Sequence, residues 1–307
     1  MRIVFMGTPE FARKSLERLY KDGREIAGVF TREDKPGNRG LKVLCNPVKE
    51  LALSHGTPVY QPVTLKDGKA AEILKKLECD LIVVVAYGRI LTKEILSIPP
   101  LSCINIHGSI LPKYRGASPV QHAVLNGEKE TGVTSMYISE TVDSGDIIMV
   151  KKTLIGEDET SGELFDRLGL LGAQLLSETV DAISKNLVVR VPQNNDEATY
   201  APLLSKSMSP IDWTMNACAI KCHVRGLIPW PVATMELAGF VLKVFSVEAT
   251  GSLTGMSPGA VVSVGKPGIE IACADGTVIV KEVQAPGGRR MHTADYLRGN
   301  PGLKDKL

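Results

Sequence analysis

Residues 81–85 read Leu-Ile-Val-Val-Val, an apolar run with no polar interruption and mostly β-branched. A strand with one wet face alternates polar and apolar residues, so an unbroken run of this length predicts a parallel strand buried on both faces within 80–90. Parallel strands require crossover connections, and the flanking sequence provides them. Apolar runs at 2–6 and 25–30 and a short one at 58–60 are strand candidates. Between them, 10–20 carries Phe11, Ser15, Leu16 and Leu19 at helical spacing, and 47–54 and 68–77 also read as helices. Strands that alternate with helices predict an α/β domain with a doubly wound, mostly parallel sheet. The first strand-to-helix turn is Gly7-Thr8-Pro9-Glu10-Phe11-Ala12, in which Pro9 and Ala12 replace the second and third glycines of a dinucleotide-binding fingerprint. Nicotinamide cofactor binding therefore has little support.

The most informative stretch is Cys103 to Val120, CINIHGSILPKYRGASPV. Cys103, Ile104 and Ile106 alternate with Asn105 and His107 at strand period, and Gly108, Ser109, Pro112 and Gly116 then end the regularity. Asn105 and His107 are two apart and share a face. An amide donor and a titratable imidazole at the carboxyl end of a strand suit carbonyl polarisation and proton transfer, although such a pair also serves as ordinary loop hydrogen bonders. Ser118-Pro119 predicts a helix start, 131–138 and 146–154 are strands, and 139–145 is a turn containing Asp143. Asp143 completes a trio if the three loops meet at one sheet edge, as ligand sites of open α/β sheets do. Thr160 and Glu163 form a capping box for a helix over 161–185, in which Gly169 and Gly172 permit close packing.

Periodicity is lost from 187 to 210, so 189–208 reads as a linker between a catalytic domain, 1–188, and a second domain, 209–307. After a helix over 214–225, the second domain is a succession of short strands, plausible for a small barrel. Charge narrows the function classes. The chain of 307 residues has a formal net charge of +2, and 209–307 holds ten Lys or Arg against eight Asp or Glu, so any polyanion site is local. The segment 31–42, TREDKPGNRGLK, reads as a flexible loop in which Lys35, Arg39 and Lys42 are available for phosphates while Glu33 and Asp34 oppose them. Six scattered cysteines without a secretory signal or a long apolar run predict reduced thiols and a cytoplasmic protein. Cys218, Cys222 and His223 lack a second ligand pair, so core packing is expected there and no metal.

Together, NIHGSILPKYRGASPVQ, TGVTSMYI and VDSGDI resemble the folate-dependent formyltransferases. The resemblance runs from MRIVFMGTPEFA through DKPGNRGLK and NPVKELA to YAPLLSK, IDW, IPWPVA and APGGRRMHTADYLRG, and within the family it is to the branch acting on methionyl initiator tRNA. It implies a Rossmann-like formyltransferase domain followed by a smaller β-barrel of oligonucleotide-binding type, with a formyl group passed from 10-formyltetrahydrofolate to the methionyl α-amino group by a monomer without metal. Asn105, His107 and Asp143 are then catalytic. Tyr87, Gly88, Arg89, Ile90, Leu91, Ser109, Leu111, Pro112, Val142 and Asp143 are implied at the folate, with the pterin between 87–91 and 140–146. Lys35, Arg39, Lys42 and Lys206 are implied at the tRNA. The chain departs from the family at Pro210 and Val232, where glycine is usual. A nucleotide-sugar formyltransferase and a noncatalytic nucleic-acid binder are the competing readings.

Overall fold

The computed structural model describes residues 1–36 and 43–301. In chain order the first two-thirds form β1 (Arg2–Gly7), α1 (Glu10–Lys21), β2 (Glu25–Phe30), β3 (Lys35–Pro36), β4 (Val43–Leu44), α2 (Pro47–Ser54), β5 (Val59–Tyr60), α3 (Lys69–Leu77), β6 (Leu81–Val85), α4 (Lys93–Leu96), β7 (Cys103–His107), α5 (Pro119–Leu125), β8 (Glu130–Tyr137), β9 (Ile147–Leu154) and α6 (Ser161–Ser184). The main sheet has the order β5-β2-β1-β6-β7-β8-β9. Pairings are parallel from β5 to β7 and antiparallel from β7 through β9. The chain winds outward from β1 through β2 to β5 and then returns to β6 on the other side, which places the change of winding direction between β1 and β6.

All five residues of β6 are buried, as its composition requires. On one side Val4, Met6, Ile82 and Val84 pack with Leu74, Tyr87 and Ile95. On the other, Gly172 of α6 lies against β7, where a Cβ would stand 3.1 Å from Ile106 Cγ2. That close approach is the reason for a glycine in the middle of a long helix, against its propensity cost. The capping box is formed: Thr160 N–H donates to Glu163 Oε2 at 2.9 Å and Glu163 N–H to Thr160 Oγ1 at 3.3 Å. Hydrogen bonding to the Thr160 backbone, then to its hydroxyl, holds the Glu163 carboxyl below its ordinary range.

Of the predicted loop 31–42, residues 37–42 lie outside the described residues, while 31–34 are tied to the rest of the domain by side-chain bonds. Thr31 Oγ1 donates to Asn46 Oδ1 at 2.9 Å, Asn46 and Gln61 both donate to the Arg32 carbonyl, and Lys49 pairs with Asp34. β3 and β4 then pair antiparallel as a short ladder. The polarity of 31–34 conceals these ties, because they are long-range side-chain bonds. Arg39 and Lys42 lie outside the described residues.

The chain divides into two compact units, the first comprising 1–119, 130–154 and 165–201, the second 120–129, 155–164 and 202–307. Beyond α6, the second unit contains α7 (Ala217–Gly226), β10 (Ala233–Leu237), β11 (Phe240–Ala249), β12 (Val261–Gly265), β13 (Gly268–Cys273), β14 (Gly276–Gln284), β15 (Met291–His292) and α8 (Thr293–Arg298). Its strands form an antiparallel sheet ordered β10-β11-β14-β13-β12, with β15 on β14, consistent with a small barrel-like domain. Helix α7 starts later than its apolar spacing predicts. Asp212 Oδ1 first accepts from Thr214 N–H at 2.9 Å in a local turn, and Asn216 then caps the helix by accepting from Ala219 N–H at 2.7 Å. Neither β15 nor α8 is legible in a glycine- and arginine-rich stretch. Val232 has φ of 71°, a left-handed conformation unfavourable to a β-branched residue.

Cys218 is exposed rather than packed, and Cys222 is partly buried, accepting from Arg225 Nη2 at 3.5 Å. Among the described residues, no three His, Cys, Asp or Glu side chains are grouped to hold a metal ion. His223 is half-buried with Nε2 unpartnered among the described residues, and burial pushes its pKa down, opposed by the Ser209 and Met208 backbone and Asp212. The unfolded chain therefore takes up a proton at His223 more readily than the folded one. Its contribution is present above about pH 6.5, the ordinary histidine value, and is lost as pH falls toward the depressed folded pKa. Between pH 7.5 and 5.5, His223→Gln should lose less of its Tm than the parent, by roughly 1–3 °C in scanning calorimetry; equal losses would remove His223 as a source of acid sensitivity.

Candidate active site

Strand β7 carries Asn105 and His107 to the sheet's carboxyl edge, with Asn105 opposite Val84 on β6 and Met136 on β8, and His107 opposite Thr134. His107 is 5% exposed. Its Nε2 lies 2.9 Å from the Tyr114 carbonyl, which can only accept, so Nε2 carries a proton. Nδ1 faces Asp143 Oδ2 at 3.6 Å. Asp143 reaches this position from a turn with φ of 51°, and the same Oδ2 accepts from Gly116 N–H at 2.8 Å. Among the described residues Asp143 Oδ1 and the half-buried Asn105 amide take no hydrogen bond, which leaves a basic oxygen and an amide donor for a reactant. The structure thus brings the three together by two loops that fold back over the end of β7.

Ser109 is fully buried and shapes the first loop. Its hydroxyl donates to the Lys113 carbonyl at 2.6 Å, while Thr134 donates to the Ser109 carbonyl at 2.7 Å and accepts from Leu111 N–H at 3.2 Å. Leu111 is buried beside Pro112, joined by a cis peptide. The loop after β6 turns sharply, with φ of 45° at Ala86 and 74° at Gly88. Tyr87 is 1% exposed, its hydroxyl has no partner among the described residues, and burial raises its pKa to about 12. Leu91 joins the core, whereas Ile90 is 74% and Val142 54% exposed. Lys93 Nζ, at the start of α4, meets Glu140 Oε1 at 2.9 Å, linking α4 to the turn after β8.

Arg89 is committed within the protein. Its Nη2 donates to both oxygens of Glu33, at 2.9 and 2.8 Å, and Nη1 donates to the Val63 carbonyl. Arg32 Nη1 donates to the Gly88 carbonyl at 3.1 Å. Glu33's own backbone N–H first, then Arg89, hold the Glu33 carboxyl below its ordinary range. Glu33 and Asp34, which in sequence look like charges opposing a polyanion, are thus already paired with Arg89 and Lys49. Among the sequence-predicted tRNA residues, the Lys35 backbone lies in β3, and Lys206 is exposed in a short turn of the second unit.

The sequence pattern of the formyl transferase family matches residues 1–180, and that of its C-terminal domain matches 203–301. The chain is 47% identical to the methionyl-tRNA formyltransferase of Alkaliphilus oremlandii, covering 98% of this chain and 97% of that one. The chain belongs to the folate-dependent formyltransferase family. Identity to the methionyl-tRNA formyltransferase of Alkaliphilus metalliredigens is 45%, over 98% of this chain and 96% of that one. The fold of this formyltransferase also resembles the crystal structure of an N-formyltransferase from Helicobacter canadensis in complex with folinic acid and dTDP-3-aminofucose. That match has a TM-score of 0.69 at 21% identity, covering 91% of this chain and 98% of that one.

Several residues that support this candidate site carry no local sign of that role in the sequence. Tyr114 supplies the carbonyl for His107, Thr134 braces the Ser109 loop, and Arg115 and Gln193 stand behind the Asp143 turn. Arg115 and Gln193 are 78 positions apart. Only the unusual amides of Gln193-Asn194-Asn195 in a nonperiodic stretch hint at polar work there.

Proposed function

We propose that this chain transfers a formyl group from 10-formyltetrahydrofolate to the α-amino group of methionyl initiator tRNA. The observation that carries this reading is full-length relationship, through both domains, to methionyl-tRNA formyltransferases. The folate co-substrate supplies the activated one-carbon unit. The loops fit a flat, polar-edged heterocycle: the backbone N–H groups of Tyr87 to Leu91 have no backbone acceptor among the described residues, and Ile90 and Val142 offer exposed apolar surface.

In this reading the Asn105 amide donates to the formyl oxygen as negative charge grows there during attack by the neutral amine. Asp143 Oδ1 orients the amine and takes its proton, directly or through water. His107 has one nitrogen on the Tyr114 carbonyl and the other facing Asp143, so it serves as a proton carrier and, when protonated, as a positive charge beneath the reacting centre. We assign 1–188 to catalysis, 209–307 to tRNA binding and 189–208 to their connection, with Lys35, Arg39, Lys42 and Lys206 meeting tRNA. Arg89 contributes by holding its loop through Glu33, and the enzyme acts as a cytoplasmic monomer. Among the described residues no helix is long and apolar enough to cross a membrane.

The direct test supplies 10-formyltetrahydrofolate with methionyl initiator tRNA, uncharged tRNA or a nucleotide amino sugar and measures formyl transfer. Transfer to the charged tRNA is expected to exceed the others by at least about 10²-fold, because the uncharged form lacks the nucleophile and the sugar forgoes remote binding energy. Preference for the sugar would overturn the assignment.

A further inference from the structure

Asp143 is useful only if its turn, which is left-handed at Asp143 with φ of 51°, is held in place. Besides Gly116 N–H and Lys93, Gln193 and Val191 hold that turn from the chain beyond α6. Gln193 Nε2 donates to the carbonyls of Asp143 at 3.0 Å and Gly145 at 2.7 Å. Val191 exchanges both backbone hydrogen bonds with Ile147, at 2.8 and 3.0 Å, just beyond the turn. The other end of the Gln193 amide is also occupied: Oε1 accepts from Arg115 Nε at 3.0 Å and Nη2 at 2.7 Å. Arg115 is 3% exposed and immediately precedes Gly116, whose N–H binds the Asp143 carboxylate. Its remaining described acceptor is Asn195 Oδ1, at 3.0 Å. The two catalytic loops are therefore joined behind the reacting face by a single side-chain amide that accepts from one and donates to the other.

We propose that Gln193 is a positioning residue for formyl transfer, fixing Asp143 relative to His107 by bridging the Arg115 loop to the Asp143 turn. The orientation of the amide is determined by its partners, since guanidinium N–H groups only donate and backbone carbonyls only accept. Glutamate at this position keeps the acceptor for Arg115 and makes it charged, but it has no donor for the two carbonyls. A merely structural role and a positioning role consequently diverge for this substitution.

The inference rests on the proposed activity, so parent enzyme is assayed beside Gln193→Glu and Gln193→Ala for transfer to methionyl-tRNA, with Tm measured on the same preparations. Gln193→Glu should retain the parent Tm and the tRNA KM within about twofold, yet lose about tenfold or more in kcat, as expected for a small displacement of a reacting group. Gln193→Ala should lose at least as much kcat and also Tm, since Arg115 is left without its main acceptor. Parent-like kcat per folded Gln193→Glu enzyme, whatever its Tm, overturns the positioning role. A parent enzyme inactive on methionyl-tRNA would instead defeat the proposed function.

Discussion

Replacing Asp143 with asparagine is expected to lower kcat by about 10²- to 10⁴-fold while changing the folate KM by only a small factor. Asparagine is nearly isosteric, and its carbonyl oxygen can still accept from Gly116 N–H, the contact made at 2.8 Å by Asp143 Oδ2. The turn therefore stays closed. What is removed is the negative charge beside His107 Nδ1 and the basic oxygen that has no partner among the described residues. An amide nitrogen in the place of Oδ1 cannot take a proton from the attacking amine. Single-turnover formyl transfer with saturating folate isolates this step. A rate equal to the parent's would remove Asp143 from the proton route, and a change confined to KM would make it a binding residue.

The sequence specifies some of these positions locally and others not at all. Residues 81–85 specify a strand buried on both faces because composition and burial are local in the same five positions. The Asn105-x-His107 pair is legible for a related reason, as period two puts both side chains on one face of any strand. Asp143 needs more, since it joins them only when β8 runs antiparallel to β7 and its turn returns to the same edge. The supporting contacts have no local trace. Glu33 and Arg89 are 56 positions apart, and pairing reverses the meaning of Glu33 from a repulsive loop charge to an anchor for the loop after β6. Gln193 lies where periodicity stops, so its fixed position comes from hydrogen bonds to Arg115, Asp143 and Gly145 rather than from burial of an apolar stripe. Conversely, Cys218 and Cys222 on α7 tempt a core or metal reading by spacing, but helix rotation leaves the first exposed.

Asn105→Ala should produce the second large loss, about 10²- to 10³-fold in kcat, corresponding to about 2.7–4 kcal/mol of transition-state stabilisation. The Asn105 amide has no hydrogen-bond partner among the described residues, and the strand that carries it is fixed by ladders to β6 and β8. Its truncation therefore leaves no orphaned protein group, and Tm should stay within about 2 °C of the parent. His107 cannot replace the lost donor without leaving the Tyr114 carbonyl or swinging its other nitrogen away from Asp143. Asn105→Asp sharpens the test, because it preserves volume but substitutes an acceptor that repels charge developing on the formyl oxygen. It should lose at least as much kcat as alanine at neutral pH. Steric support by Asn105 would predict the opposite order, with aspartate close to the parent and alanine impaired, and that order would assign oxyanion stabilisation to another group.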